Sequence, residues 1–297
     1  MRRLQLWLIC LALLATACPA RAQNRLNVVA SFSILGDLVR KVGGTSVNVT
    51  TLVGPDGDAH VYVPTPSDAK RIADAKLVFV NGFGLEGWLP RLVQSAGGKA
   101  VIVTATSGIA PLKLGSDADP HAWQSPINAK IYVANIRDAL VVADAASAAA
   151  FKVNADAYLA KLDALDREVR DAVAQIPDGR RKVISTHDAF GYFSAAYGIE
   201  FIAPLGVSTE SEPSAHDIAR IITQIRTSDI RAIFLENISD PRLIQRIAAE
   251  TGSIVGGTLY SDSLTGEKGD APTYIDMVKH NIKAIKVAIE LATVRTR

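Results

Sequence analysis

AYLAKLDALDREVRDAVAQI, residues 157–176, sets Leu159, Leu162, Leu165, Val169 and Val173 three or four positions apart. That spacing places them on one face of an α-helix. Pro177 and Gly179 end the pattern. The stretch lies in a longer run, from about 128 to 175, without proline or glycine and rich in Ala, Leu, Asp and Lys. About 30 helical residues would span about 45 Å, the length of a whole lobe. The plainer expectation is one more amphipathic helix. The sharper one is a rigid backbone helix joining two folded halves, and what flanks the run favours it.

On each side lie four short apolar runs. Before it come LNVVAS (26–31), VNVTTLV (47–53), AKLVFVNG (75–82) and KAVIVTA (99–105). After it come RKVISTH (181–187), IEFIAPL (199–205), RAIFLEN (231–237) and SIVGGTLY (253–260). Continuous apolar runs of this length predict buried strands. Amphipathic segments between them, at 34–42, 66–75, 190–197, 214–227, 241–251 and 273–292, predict helices. Repeated βα alternation implies parallel sheets covered by helices. The expected fold is therefore α/β, with two lobes, each a mostly parallel four-stranded sheet flanked by helices. The expected division is 23–127 for the first lobe, 128–178 for the linker region with the backbone helix, and 179–297 for the second lobe.

Residues 1–22 read as a secretory leader: MRR, an apolar core too short for a comfortable membrane span, and ARA before a cleavage at Gln23. A lipoprotein acylated on Cys18 is the rival, but Ala15 stands where a lipobox usually has Leu. Soluble export to the periplasm is the expectation. Cys10 and Cys18 both fall in this leader, so the mature chain has neither disulfide nor thiolate ligand. Cleavage also removes Arg2, Arg3 and Arg21. The 32 basic side chains become 29 against 30 acidic ones, a net charge near −1. No nucleic-acid surface is implied. Aromatics are 6% of the chain, too few to suggest an aromatic-lined organic pocket.

Three of the five histidines, and one aspartate, follow predicted strands. His60 lies in GPDGDAHVYVPTPSD, His121 in DADPHAWQSP, His187 ends KVISTH, and Asp262 lies in TLYSDSL. In open α/β sheets, ligands bind outside the carboxyl ends of the strands. Four candidate ligands, two per lobe, would thus converge on the cleft between lobes. Taken singly, each has an ordinary explanation: a solvated loop histidine, or for Asp262 a turn or helix N-cap. Joint placement lifts them above it. Trp123 and Tyr62 are expected to pack, and His216 and His280 to sit on helices away from any site. DGDAH and DADPH also rhyme, with acids upstream and proline-stiffened chain nearby, and preorganised loops suit metal ligands. Three imidazoles and a carboxylate suit Zn²⁺ and are tolerable for Mn²⁺ or Fe²⁺.

HVYVPTPSD, DPHAWQSP, VISTHDAFGYFSAAYGIE and GTLYSDSL, together with EPSAHDIARI and AIFLENISDP, resemble the metal-binding receptors of bacterial zinc and manganese ABC importers. The resemblance spans nearly the whole mature chain. It implies His60, His121, His187 and Asp262 as ligands, and a divalent metal, Zn²⁺ first and Mn²⁺ or Fe²⁺ as alternatives, as transported cargo rather than cofactor. It also implies an inner-membrane permease with its cytoplasmic ATPase as partner, and a monomer. The chain departs from the family pattern at Ala59, at Val63, and at Gln124 and Ser125, which replace an apolar and acidic pair. The His- and Asp-rich loop of many zinc-specific members is missing between the first two ligands, whereas members dedicated to manganese usually have glutamate where His187 stands. Glu236 and Glu212 are candidates to orient ligands or meet the permease. No enzyme is expected: a fourth ligand closes a site that catalytic zinc leaves open, and HExxH is absent. A hydrolase, a siderophore or vitamin receptor, and an added adhesive role are the rivals. Activity of the metal-loaded protein and native mass spectrometry separate the first two from a metal receptor.

Overall fold

The structure, a computed structural model, describes residues 25–114 and 117–294; the expected leader, with Cys10 and Cys18, lies outside them. The first lobe runs β1 (Leu26–Phe32), α1 (Ser33–Gly43), β2 (Val47–Val53), α2 (Pro66–Ala73), β3 (Leu77–Val80), α3 (Leu89–Ala96) and β4 (Val101–Thr104). Its strands are all parallel, in the order β2-β1-β3-β4. A small antiparallel hairpin follows, β5 (Lys113–Leu114) with β6 (Asp117–Ala118). After the long helices come β7 (Lys182–Ile184), α6 (Gly191–Tyr197), β8 (Glu200–Ile202), α7 (Ala215–Thr227), β9 (Ala232–Glu236), α8 (Arg242–Thr251), β10 (Ile254–Leu259) and α9 (Tyr274–Val294). This second sheet is also parallel, in the order β10-β9-β7-β8. In each lobe the first strand is flanked by the second and third, and the fourth lies outside the third. The direction of winding reverses between the first and third strands, and the crevice at that reversal is where such sheets take ligands.

Central strands are buried on both faces, as their apolar runs require: β3 is buried throughout, and β1 from Val28 onward. β4 departs from the expectation of a buried strand. It is the sheet's edge, and Val101 and Ile102 remain exposed. Gly256 in β10 leaves room for the Phe234 ring and for Ala288 of α9, because a Cβ there would lie 2.4 Å from the ring and 2.6 Å from the Ala288 Cβ.

The stretch between the sheets holds two helices, where one was expected. α4 (Pro126–Ala143) and α5 (Ala148–Ala174) fold back on each other and are tied by Lys130 Nζ to Asp163 Oδ1 at 2.5 Å. Asp144 makes the break. Its carboxylate accepts hydrogen bonds from the Ala146 and Ser147 amides and opens a short 3₁₀ turn into α5. At 27 residues α5 is about 40 Å long. It buries Phe151, Ala155, Tyr158, Leu162, Leu165, Val169 and Val173, and packs on α1 of the first lobe and on α6 and α9 of the second. One apolar core runs through the contact, from Val28 and Leu38 to Leu259 and Met277. Among the described residues, no helix is long and apolar enough to cross a membrane.

Candidate metal centre

His60 follows β2 in a turn held by its neighbours. Asp58 Oδ1 accepts the His60 amide at 2.8 Å, and Trp88 Nε1–H donates to Ala59 O at 2.9 Å. Downstream, Pro66 starts α2, whose capping box pairs Thr65 with Asp68; Asp68 also accepts the Tyr62 hydroxyl at 2.8 Å. Tyr62 is thus held away from any ligand role.

His121 follows β6 in the same kind of turn. Asp119 Oδ1 accepts both the His121 amide at 2.9 Å and Nδ1–H at 2.8 Å. Asn81 Nδ2–H holds the Pro120 carbonyl at 2.9 Å, and Trp123 stands edge-on to the imidazole. Gly191 leaves room for the carboxylate, since a Cβ there would lie 2.6 Å from Asp119 Oδ2.

His187 follows β7. Glu236, the last residue of β9, accepts the Thr186 amide at 2.7 Å, the His187 amide at 3.0 Å and Nδ1–H at 2.5 Å. Asp262 follows β10 in irregular chain, ahead of no helix, so it is not an N-cap. Its carboxylate is fully buried and receives no hydrogen bond from backbone or hydroxyl.

The four expected residues meet. Their ligand atoms all lie within 4.8 Å of one another. His121 Nε2 is 3.2 Å from His60 Nε2 and 3.3 Å from His187 Nε2. Asp262 Oδ2 is 3.2 Å from His60 Nε2 and 3.1 Å from His187 Nε2, while Oδ1 is 3.6 Å from His121 Nε2. A tetrahedral ion with bonds of about 2.0–2.1 Å separates its ligands by about 3.3–3.4 Å. Because carboxylates accept the Nδ1 protons of His121 and His187, their Nε2 atoms turn lone pairs toward a common point. Lone pairs and a bare carboxylate at this distance need a positive charge between them, either protons or a metal ion.

The electrostatics say the same. Burial alone would depress His121 and His187. The carboxylates outweigh it: Asp262 and Asp119 raise His121, and Glu236 and Asp262 raise His187 well above the ordinary range. Burial would raise Asp262, yet the two imidazoles hold its carboxyl well below the usual value. A cleft of about 490 Å³ opens onto His60, between Phe83, Leu85 and Pro120 of the first lobe and Val207 and Glu210 of the second.

Glu236 takes the orienting place expected of it, but Glu212 is exposed and its electrostatic neighbour is Arg242, so it orients none of the four. His216 is exposed at the start of α7. His280 lies on α9, with Nε2 at 3.0 Å from Thr258 O. Asp119 was visible in sequence only as a nearby acid, and the role of Asn81 carried no sequence signal.

Residues 28–288 match the sequence model of the family described as ZnuA, zinc-uptake complex component A, periplasmic. The manganese-binding lipoprotein MntA of Halalkalibacterium halodurans is 34% identical over 279 residues, covering 92% of this chain and 93% of that protein. The iron-binding protein YfeA of Yersinia pestis is 34% identical over 283 residues, covering 94% and 91%. Among solved structures, the periplasmic zinc-binding protein TroA of Treponema pallidum superposes with a TM-score of 0.86 at 31% identity, covering 90% of this chain and 99% of that one.

Proposed function

This chain belongs to the ZnuA family of periplasmic zinc-uptake components, and from that premise we propose that it captures a divalent transition-metal ion between its lobes and delivers it to the permease of an ABC importer. The ligands in this proposal are His60, His121, His187 and Asp262. The observation that carries it is the buried Asp262 carboxylate, without a backbone or hydroxyl donor, facing imidazole nitrogens at 3.1 and 3.2 Å. The ion is cargo. Binding and release require no bond chemistry, and four protein ligands fill the position that a catalytic zinc keeps for water.

Three imidazoles favour Zn²⁺, the softer and more nitrogen-seeking of the candidate ions. Mn²⁺ and Fe²⁺ are the alternatives, supported by the names of the manganese- and iron-binding relatives. Elemental analysis of the purified protein, followed by metal competition, is the test. One equivalent of zinc that manganese fails to displace supports the zinc assignment. Preferential manganese or iron occupancy overturns it, and absence of binding by any of the three overturns the receptor itself.

The protein works outside the cytoplasmic membrane. The lipoprotein named among its relatives favours an acyl anchor on Cys18 over the free N-terminus at Gln23. Intact mass decides: a diacylglyceryl adduct beginning at Cys18, against an unmodified chain beginning at Gln23.

A further inference from the structure

By chain position the turn bearing Asp262 belongs to the second lobe, yet the first lobe fastens it. Trp123 Nε1–H and Gln124 Nε2–H both donate to Ser261 O, at 2.9 and 2.6 Å. The Leu264 amide donates to Ser33 Oγ at 2.9 Å, and the Asp56 amide to Leu264 O at 2.9 Å. The Ser33 and Ser263 hydroxyls meet at 3.1 Å. Apart from the imidazoles it faces, Asp262 has no backbone or hydroxyl donor to steer it, so this turn sets where its carboxylate lies.

Gln124 is the unexplained member of the set. It follows His121 by three residues, is 1% exposed, and stands in the 3₁₀ turn that leads into α4. A carbonyl can only accept, so the amide nitrogen faces Ser261 O. Ser261 is a junction: its carbonyl takes the first-lobe donors, while its hydroxyl donates to Glu236 Oε2 at 2.7 Å, the oxygen that also holds His187.

We propose that Gln124 is a positioning residue for Asp262, tying the peptide that precedes the carboxylate to the segment that carries His121. The inference rests on the metal-receptor function above and goes beyond its ligand set. His60, His121 and Asp262 then form a unit anchored on the first lobe, and His187 reaches it from the second sheet. Gln124 touches no metal itself; it acts through Asp262.

The test is a double-mutant cycle on the full protein, with Zn²⁺ affinity read by chelator competition at one fixed pH. Gln124→Met keeps the side-chain length and removes the N–H, and Gln124→Leu serves as a second variant if the first fails to fold. Loss of an orienting partner weakens metal affinity by about 10-fold or more, and that is the loss expected with Asp262 intact. In the Asp262→Ala background, where three histidines still hold zinc weakly, the same replacement is expected to change affinity by less than about 2-fold, because the partner it acts through is gone. Equal losses in both backgrounds overturn the proposal, since a merely structural glutamine gives that result. No loss with Asp262 intact overturns it too. A wild-type protein that binds no zinc, manganese or iron refutes the receptor function instead, and so is distinguishable from either outcome.

Discussion

At the scale of single residues, ligand choice and ligand orientation separate. His187→Glu replaces an imidazole by a harder oxygen donor and is expected to shift preference from Zn²⁺ toward Mn²⁺. Competition titration of both proteins reads the ratio, and an unchanged ratio would mean that His187 is no ligand or that cavity geometry dominates. Glu236→Gln leaves the ligand set whole but loosens it. The amide oxygen still accepts the two backbone N–H groups, but the NH2 group now stands where Oε2 accepted His187 Nδ1–H, and as a donor it cannot take that proton, so the imidazole loses the partner that orients it. Zinc affinity is expected to fall about 10- to 100-fold with the metal preference little changed. A Glu236→Gln protein with wild-type affinity would remove Glu236 from the site. The four candidate ligands were singled out in sequence because each was placed after an apolar run that predicts a strand, and parallel sheets gather such positions at one end. Of their orienting partners, Glu236 was a candidate without an assigned ligand, and Gln124 only a departure from the family pattern. Glu236 stands 49 positions from His187, and Gln124 137 from Ser261, so both pairings depend on topology and not on spacing.

At the scale of elements, α5 carries the connection between lobes, and its stripe can be tested one residue at a time. Leu162 is fully buried, whereas Leu159 is half-buried on the rim of the same core. Leu162→Ala is expected to destabilise the metal-free protein by about 2–5 kcal/mol and Leu159→Ala by clearly less, measured by urea unfolding. Equal losses would show that the helix is not seated as described. The periodicity of 157–176 made this helix readable. The run before it was harder, because α4 is Ala- and Val-rich on several faces and its separation from α5 rests on one capping aspartate, Asp144. α3 carries Pro90 in its first turn and spans eight residues, and the β5–β6 hairpin has two-residue strands. Segments that short give no period to detect. Strands were the clearest elements because parallel sheets need continuous apolar runs, and edge β4 shows the limit of that rule: the run is apolar although its side chains are exposed.

At the scale of the whole molecule, protons and metal compete for the place where the lobes meet. In the metal-free protein His121 and His187 hold protons more tightly than ordinary histidines, through Asp262, Asp119 and Glu236. A folded-state value above the unfolded one means that folding takes up protons. The associated stability is full below the unfolded histidine value, near ~6.5, and is lost as pH rises through the raised values. Asp37 and Glu86, whose carboxyls burial also pushes up, act in the same direction. Asp262, held low, stays ionised throughout and does not change the sign. Metal needs the opposite condition, because each imidazole must lose its proton before Nε2 can coordinate. Zinc affinity is therefore expected to rise with pH and to go on rising above ~6.5, where unperturbed histidines would already be free. At the acid end the slope approaches at most about three log units per pH unit, one for each histidine. His60→Ala lowers that limit to about two and weakens binding, while His216→Ala changes neither. Chelator competition, corrected for the chelator's own protons, measures the slope. Melting the protein with and without zinc gives an independent reading, since the gap should widen from pH ~5 to ~8 as the metal-free form loses its proton-linked support and the bound form gains affinity. An affinity that does not vary with pH would exclude the three-histidine site.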